Sequence, residues 1–119
     1  MGLVYKRQQK DETAAAEYLL AIKIDRKNAV AFNNYGSLLH DQRNYAEAEK
    51  QIRIALTLNK NFAVAHGSLA EIYRDTNRRE AAISEFKEAL RLDPKLEEAQ
   101  RELNEMNPSE ATGAVQPPK

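Results

Sequence analysis

A unit of 34 residues is written twice in succession, as residues 29–62 and 63–96, and this period constrains the fold more than any other feature of the chain. Superimposed, the copies are identical at Ala29/Ala63, Val30/Val64, Ala31/Ala65, Asp41/Asp75, Ala48/Ala82, Ala55/Ala89, Leu56/Leu90 and Leu58/Leu92. Tyr35/Leu69, Gly36/Ala70, Leu39/Tyr73 and Ile52/Phe86 keep character rather than identity. One period earlier, Ala14, Tyr18, Ala21, Ile22 and Ile24 align with Ala48, Ile52, Ala55, Leu56 and Leu58. Within a copy, apolar residues such as Phe32, Tyr35, Leu38 and Leu39 recur at the spacing of one buried helical stripe. Two such helical patterns per fixed period mark a solenoid, in which each repeat buries its apolar side against its neighbours.

The local signals place the elements. Residues 1–9 read as the second half of a first helix. Asp11, Glu12 and Thr13 then read as the start of a second helix, where carboxylates and hydroxyls suit the exposed N–H groups. That helix runs to about Asp25, with Ala14, Tyr18, Leu20, Ala21 and Ile22 facing inward. Asn28 is the expected N-cap of a helix over 29–42. Gly36 costs that helix about 1 kcal/mol of propensity relative to alanine, which close packing opposite Ala48 and Ala55 would explain. Asn44 and Glu47 form a capping-box-like start for a helix over 45–58. Asn61 is the expected cap for 63–76, and a turn at Asn77 leads into 79–92. Asp93 and Pro94 then read as an N-cap and first helical residue. The helix after them carries Leu96, Ala99, Leu103 and Met106 on one side and Glu97, Glu98, Glu102 and Glu105 on the other. Residues 107–119, with Pro108, Gly113, Pro117, Pro118 and little apolar bulk, read as a disordered tail.

The residues that keep this register resemble the tetratricopeptide repeat (TPR) family. Its large apolar and small slots are filled here by Phe32, Tyr35, Gly36, Leu39, Ala48, Ile52 and Ala55. In the next copy they are filled by His66, Leu69, Ala70, Tyr73, Ala82, Phe86, Ala89 and Pro94. His66 stands where an apolar residue is usual, and Lys60 where proline is common. The resemblance implies an all-α TPR helix-turn-helix solenoid, a right-handed superhelix with a C-terminal capping helix. In that frame 1–28 is a truncated first repeat, 29–62 and 63–96 are repeats, 94–106 is the capping helix and 107–119 the tail.

Composition excludes several functions. Lys and Arg number 18 against 18 Asp and Glu, and without a basic excess nucleic-acid binding is not expected. Cysteine is absent, which removes disulfides and thiol chemistry and leaves the redox compartment open. No apolar run approaches the roughly 20 residues that cross a bilayer, so direct membrane insertion is not expected. Residues 1–7 lack a hydrophobic segment with a cleavage site. Lys6 stands where a myristoylation pattern beginning at Gly2 wants Ser or Thr, and Pro108 spoils the acceptor Asn107-Pro108-Ser109. The chain reads as soluble, with the compartment open and the cytoplasm favoured.

Catalytic signals are thin, and neither cofactor nor metal is expected. His40 and His66 fall on different helices, and no zinc-protease, phosphate-loop or nucleophile-elbow motif is present. His66 occupies a packing slot. The carboxylates read as solvated helix faces, Glu47 near Lys50 and Gln51, and Glu85 near Arg91. Tyr5, Tyr18, Tyr35 and Tyr73 fall in packing slots, and Tyr45 at a turn.

The family resemblance directs one set of residues into the concave groove. These are Val30, Asn33, Asn34, Ser37, His40 and Asp41, then Val64, Gly67, Ser68, Glu71, Arg74 and Asp75, with Leu3, Lys6 and Arg7 from the truncated copy. Asn33 and Asn34 can hydrogen-bond an extended peptide, and Arg74 can contact a carboxylate or phosphate. Chaperone-binding members of the family hold a terminal carboxylate with a Lys/Asn/Lys/Arg set. Asn34 fills one of those slots, but Val64, Ser68 and Leu3 stand where charged members belong, so that clamp is not expected. The run 31–36 is similar to asparagine-bearing arrays of O-glycosyltransferase-associated or bacterial pilus-assembly TPR proteins.

The reading that follows is a non-enzymatic protein–protein interaction scaffold, binding a partner peptide or helix in the groove. The alternative of the same class is a homodimer formed through an open N-terminal edge at Leu3, Val4 and Tyr5. A more remote one is an enzyme-associated TPR fragment.

Overall fold

The computed structural model describes residues 2–106, and side chains from residue 9 onward. Among the described residues the elements are α1 (Gly2–Ile24), α2 (Ala29–Asp41), α3 (Tyr45–Leu58), α4 (Ala63–Asp75), α5 (Arg79–Leu92) and α6 (Glu97–Met106). The expected tail over 107–119 lies outside them. The chain divides into two compact units, Met1–Lys60 and Asn61–Lys119.

In the first unit, α2 and α3 form an antiparallel pair and α1 packs on α2. The pair closes on small residues: Gly36, Ala48 and Ala55 are buried together with Ile52, Phe32, Leu38 and Leu39. A Cβ at Gly36 would sit 2.5 Å from Ile52 Cγ1 and 3.2 Å from the Ala48 carbonyl oxygen. Glycine is therefore set by helix contact, against the propensity of the helix that carries it. The Asn28 side chain accepts a hydrogen bond from the Ala31 N–H at 3.0 Å, the N-cap read from sequence. Asn44 does stand at the N-cap of α3, but its side chain makes no capping bond there. Glu47 instead accepts from Gln51 at 2.8 Å, so the capping box does not form.

The break expected near Gln9 to Asp11 is absent, and α1 is one helix of 23 residues. The other two copies reverse direction through a left-handed residue, Arg43 or Asn77, each with φ 64°. In the 34-residue register Gln9 aligns with them, and Gln9 and Lys10 are good helix formers. The Thr13 hydroxyl donates to the Gln9 carbonyl at 2.9 Å, bonding back along the helix rather than capping a new one. Ala14, Tyr18, Ala21 and Ile22 are half-buried as expected, whereas Leu20 is exposed, as are Leu19 and Ile24.

Arg43 gives a direct test of these turns. A non-glycine residue in the left-handed region costs roughly 1–2 kcal/mol, so Arg43→Gly is expected to raise stability by about 1 kcal/mol in a thermal melt. Asn77→Gly should gain less, because asparagine tolerates that region better.

The second unit repeats the pairing with α4 and α5, on which α6 is added. Ala65, Leu69, Ala70, Ile72, Tyr73, Ala82, Phe86 and Ala89 are buried. The Arg78 guanidinium lies 4.5 Å from the Tyr73 ring centroid. Helix α4 starts from Phe62 at the N-cap position, not from Asn61. Helix α6 starts at Glu97, later than the Asp93-Pro94 signal implied. The period explains both shifts. Asp25 and Asp93 each accept from the backbone N–H two residues on, at Lys27 and Lys95, making a side-chain turn between helices. The fourth residue of each turn, Asn28, Phe62 or Leu96, precedes the next helix. Glu97 thus aligns with Ala29 and Ala63 in the 34-residue register. Helix α6 buries Ala99, Leu103 and Met106. Arg79 donates to the Met106 carbonyl, tying the end of α6 to the start of α5.

Candidate functional site

The residues assigned to the groove fall on α2 in the first unit and on α4 in the second. On α2, Val30 is 56% exposed, Asp41 is exposed, and Asn34, Ser37 and His40 are half-buried and accessible. The register explains this arrangement, because Val30, Asn34, Ser37 and Asp41 are spaced three and four apart along one helix face. Asn33 departs from it. Its side chain is only 4% exposed, and among the described residues its Oδ1 has no hydrogen-bond partner. The His40 ring packs against Tyr45 with centroids 5.6 Å apart, and its Nδ1 is 3.9 Å from Asp41. His40 is therefore partly committed to the α2–α3 turn.

On α4, Ser68 donates to the Val64 carbonyl at 3.1 Å, while Glu71 is half-buried. Arg74 is bonded to Asp75 at 3.0 Å and paired with Glu102 of α6. Burial works against its charge, but the hydrogen bonds to Asp75 and Glu102 outweigh that and raise its pKa further above the ordinary arginine value. Arg74 thus joins α4 to α6, a role that its place in the repeat did not reveal. His66, read as a packing residue, is half-buried with Nδ1 2.7 Å from Glu85 Oε1. Arg91 accordingly pairs with Glu88, at 2.6 Å, rather than with Glu85.

Sequence reasoning missed the concavity beside Gly67. A cavity of about 140 Å³ is lined by Val64, Gly67, Ser68 and Glu71 of α4, Phe86 of α5, and Leu96, Glu98 and Ala99. A Cβ at Gly67 would meet nothing within 4 Å. Its signal was available in the period, since Glu98 and Ala99 align with Val64 and Ala65 once α6 is counted as a repeat helix. Among the described residues, no group of three or more His, Cys, Asp and Glu side chains is placed to hold a metal ion. Nor is any helix among them long and apolar enough to cross a membrane.

Comparison with known families settles the relationship. A model of the tetratricopeptide repeat matches residues 1–28 and 63–96, and a second model of the same repeat matches 17–50. The chain belongs to the tetratricopeptide repeat family. Its fold is the all-α TPR solenoid class. The first TPR of Spaghetti (RPAP3) bound to the HSP90 peptide SRMEEVD is similar, with a TM-score of 0.78 and 25% identity, covering 92% of this chain and 87% of that one. The second TPR domain of human RPAP3, in complex with the HSP70 peptide SGPTIEEVD, gives 0.74 and 25%, covering 88% of each. The O-GlcNAc transferase of Thermobaculum terrenum gives 0.75 at 22% identity, over 85% of this chain and 20% of that one. In sequence, the type IV pilus assembly protein PilF of Pseudomonas aeruginosa is 33% identical over 52 residues, which are 44% of this chain and 21% of PilF. The chain therefore spans only about a fifth of that relative.

Proposed function

We propose that this TPR chain is a non-catalytic interaction module in which the exposed face of α2 and, taken by itself, that of α4 each offer a surface to an extended segment of a partner protein. The observation that carries the reading is the accessible polar row of Asn34, Ser37 and Asp41 beside exposed Val30 on α2, matched on α4 by Ser68 and Glu71 next to an open cavity. Short polar side chains can hydrogen-bond a peptide main chain without dictating its sequence, and a preformed surface limits the ordering cost to the peptide. The similar RPAP3 domains hold HSP90 and HSP70 peptides, which supports peptide binding by this fold. Capture of a terminal carboxylate in their manner is not part of the proposal, because Val64 and Ser68 supply no positive charge and Arg74 is bonded to Asp75 and Glu102. The homodimer alternative rests on Leu3, Val4 and Tyr5, whose side chains lie outside the described residues.

The test is a partner captured by the intact chain, followed by Asn34→Ala combined with Ser37→Ala. Helix content by circular dichroism should be unchanged while affinity for the partner falls about fivefold to tenfold, the loss of one or two neutral hydrogen bonds. Unchanged affinity would move the binding surface off α2.

A further inference from the structure

We infer that the second half of α1, residues 13–21, receives an amphipathic helix of a partner protein, laid antiparallel to α1 as α2 lies on α3. This surface is separate from the exposed faces of α2 and α4, and the inference does not depend on peptide binding there. The 34-residue register aligns α1 with α3 and α5 position by position. Ala48, Ile52 and Ala55 of α3 are fully buried, as are Ala82, Phe86 and Ala89 of α5. The helix before each, α2 or α4, packs on it. Their equivalents on α1, Ala14, Tyr18 and Ala21, are only half-buried. The flanking positions differ in the same direction. Thr13, Glu17 and Leu20 are exposed, whereas Glu47, Gln51 and Ile54 on α3, and Ala81, Glu85 and Glu88 on α5, are half-buried. One side of α1 is thus open where its counterparts are covered, and a concavity lined by Gln9, Lys10, Thr13, Ala14 and Glu17 lies along it. Residues 2–9 do not close this side, because they continue α1 as one helix.

The helices that cover α3 and α5 define the chemistry of the occupant. Each presents a small residue, Gly36 or Ala70, at the same register position. A Cβ at Gly36 would sit 2.5 Å from Ile52 Cγ1, and Tyr18 is the equivalent of Ile52. Large apolar residues stand one position before the small one and three after it, Tyr35 and Leu39 on α2, Leu69 and Tyr73 on α4. Anchors spaced in this way lie on one helix face and are how a groove reads a helix. Charge complementarity sets the remaining anchor. His66 of α4 holds Nδ1 2.7 Å from Glu85 Oε1 of α5, and Glu17 is the equivalent of Glu85 on α1. An exposed carboxylate at that place selects a basic residue four positions before the small one. A second copy of the chain does not offer such a helix, because its α2, α4 and α6 are already packed on α3 and α5.

The experiment adds peptides of the α4 sequence, residues 63–76, to the intact isotope-labelled chain. A lactam bridge between the positions of Gly67 and Glu71, away from the contact face, holds each peptide helical. One peptide carries His66→Lys, a second His66→Glu, and a third His66→Lys with Ala70→Phe. The lysine peptide is expected to shift the backbone amides of Ala14, Glu17, Tyr18 and Ala21. It should bind roughly threefold to tenfold tighter than the glutamate peptide, as one partly exposed ion pair permits. The phenylalanine peptide should bind about tenfold weaker than the lysine peptide, through overpacking at the close contact. Glu17→Lys in the chain, a change at an exposed position, should reverse the order of the lysine and glutamate peptides. Equal binding of those two peptides would overturn the basic anchor, and undiminished binding of the phenylalanine peptide would overturn the close helix contact. The docking site is refuted if no peptide shifts the α1 amides, or if shifts are confined to Ala82, Phe86 and Ala89 through exchange with α4. Shifts of the same α1 amides that grow with chain concentration, without peptide, would assign the face to a second copy and overturn the partner helix.

Discussion

Phe86→Ala is expected to lower the stability of the second unit by about 3–5 kcal/mol. Phe86 is 1% exposed and, with Ile52 and Ile72, is one of the largest fully buried side chains. Truncation removes its transfer free energy and leaves a cavity that can collapse only in part. The neighbouring positions Ala82 and Ala89 on α5 are alanines with no exposed surface, and they have no side-chain length with which to fill it. A small domain is stable by only about 5–15 kcal/mol, so this one change removes a large share. Chemical denaturation should show an earlier transition. Hydrogen exchange should show that protection is lost first at Leu69 and Ile72, within the same unit. An unshifted denaturation midpoint would mean that Phe86 is not part of the core of this unit.

Gly36→Val should cost about 1–3 kcal/mol through overpacking. The new Cβ begins 2.5 Å from Ile52 Cγ1 and 3.2 Å from the Ala48 carbonyl, and valine adds two methyl groups beyond it. Ile52 has no exposed surface through which to retreat, so α2 and α3 must separate. Gly67→Ala is the control, with the opposite expected sign. Nothing lies within 4 Å of its new Cβ, so replacing glycine in α4 should stabilise by up to about 1 kcal/mol through helix propensity. Paired thermal melts decide the matter. Destabilisation by both variants, or by neither, would contradict the distinction between a glycine set by packing and one set by open space.

These two glycines show where sequence and tertiary structure divide the information. The period, the two helices per repeat, and the alanines and aromatics that fill the core were all legible. Each is a local or same-face pattern, and the α3 and α5 boundaries and the Asn28 cap followed directly. The family was legible for the same reason, since its signature is that packing register. Contacts between helices were not legible, because one period places two residues on a face without saying what stands opposite. Asn33 and Asn34 look alike in the chain, yet one is buried and the other accessible. Arg74 read as a ligand contact until Glu102 of α6 was placed beside it. The reversal expected near Gln9 failed because a turn forms only when packing on both sides offsets its strain. There the chain supplies Gln9 and Lys10, both good helix formers, and α1 runs on unbroken. Tertiary structure decided which polar residues remain available to a partner, because availability depends on neighbours that the 34-residue period does not encode.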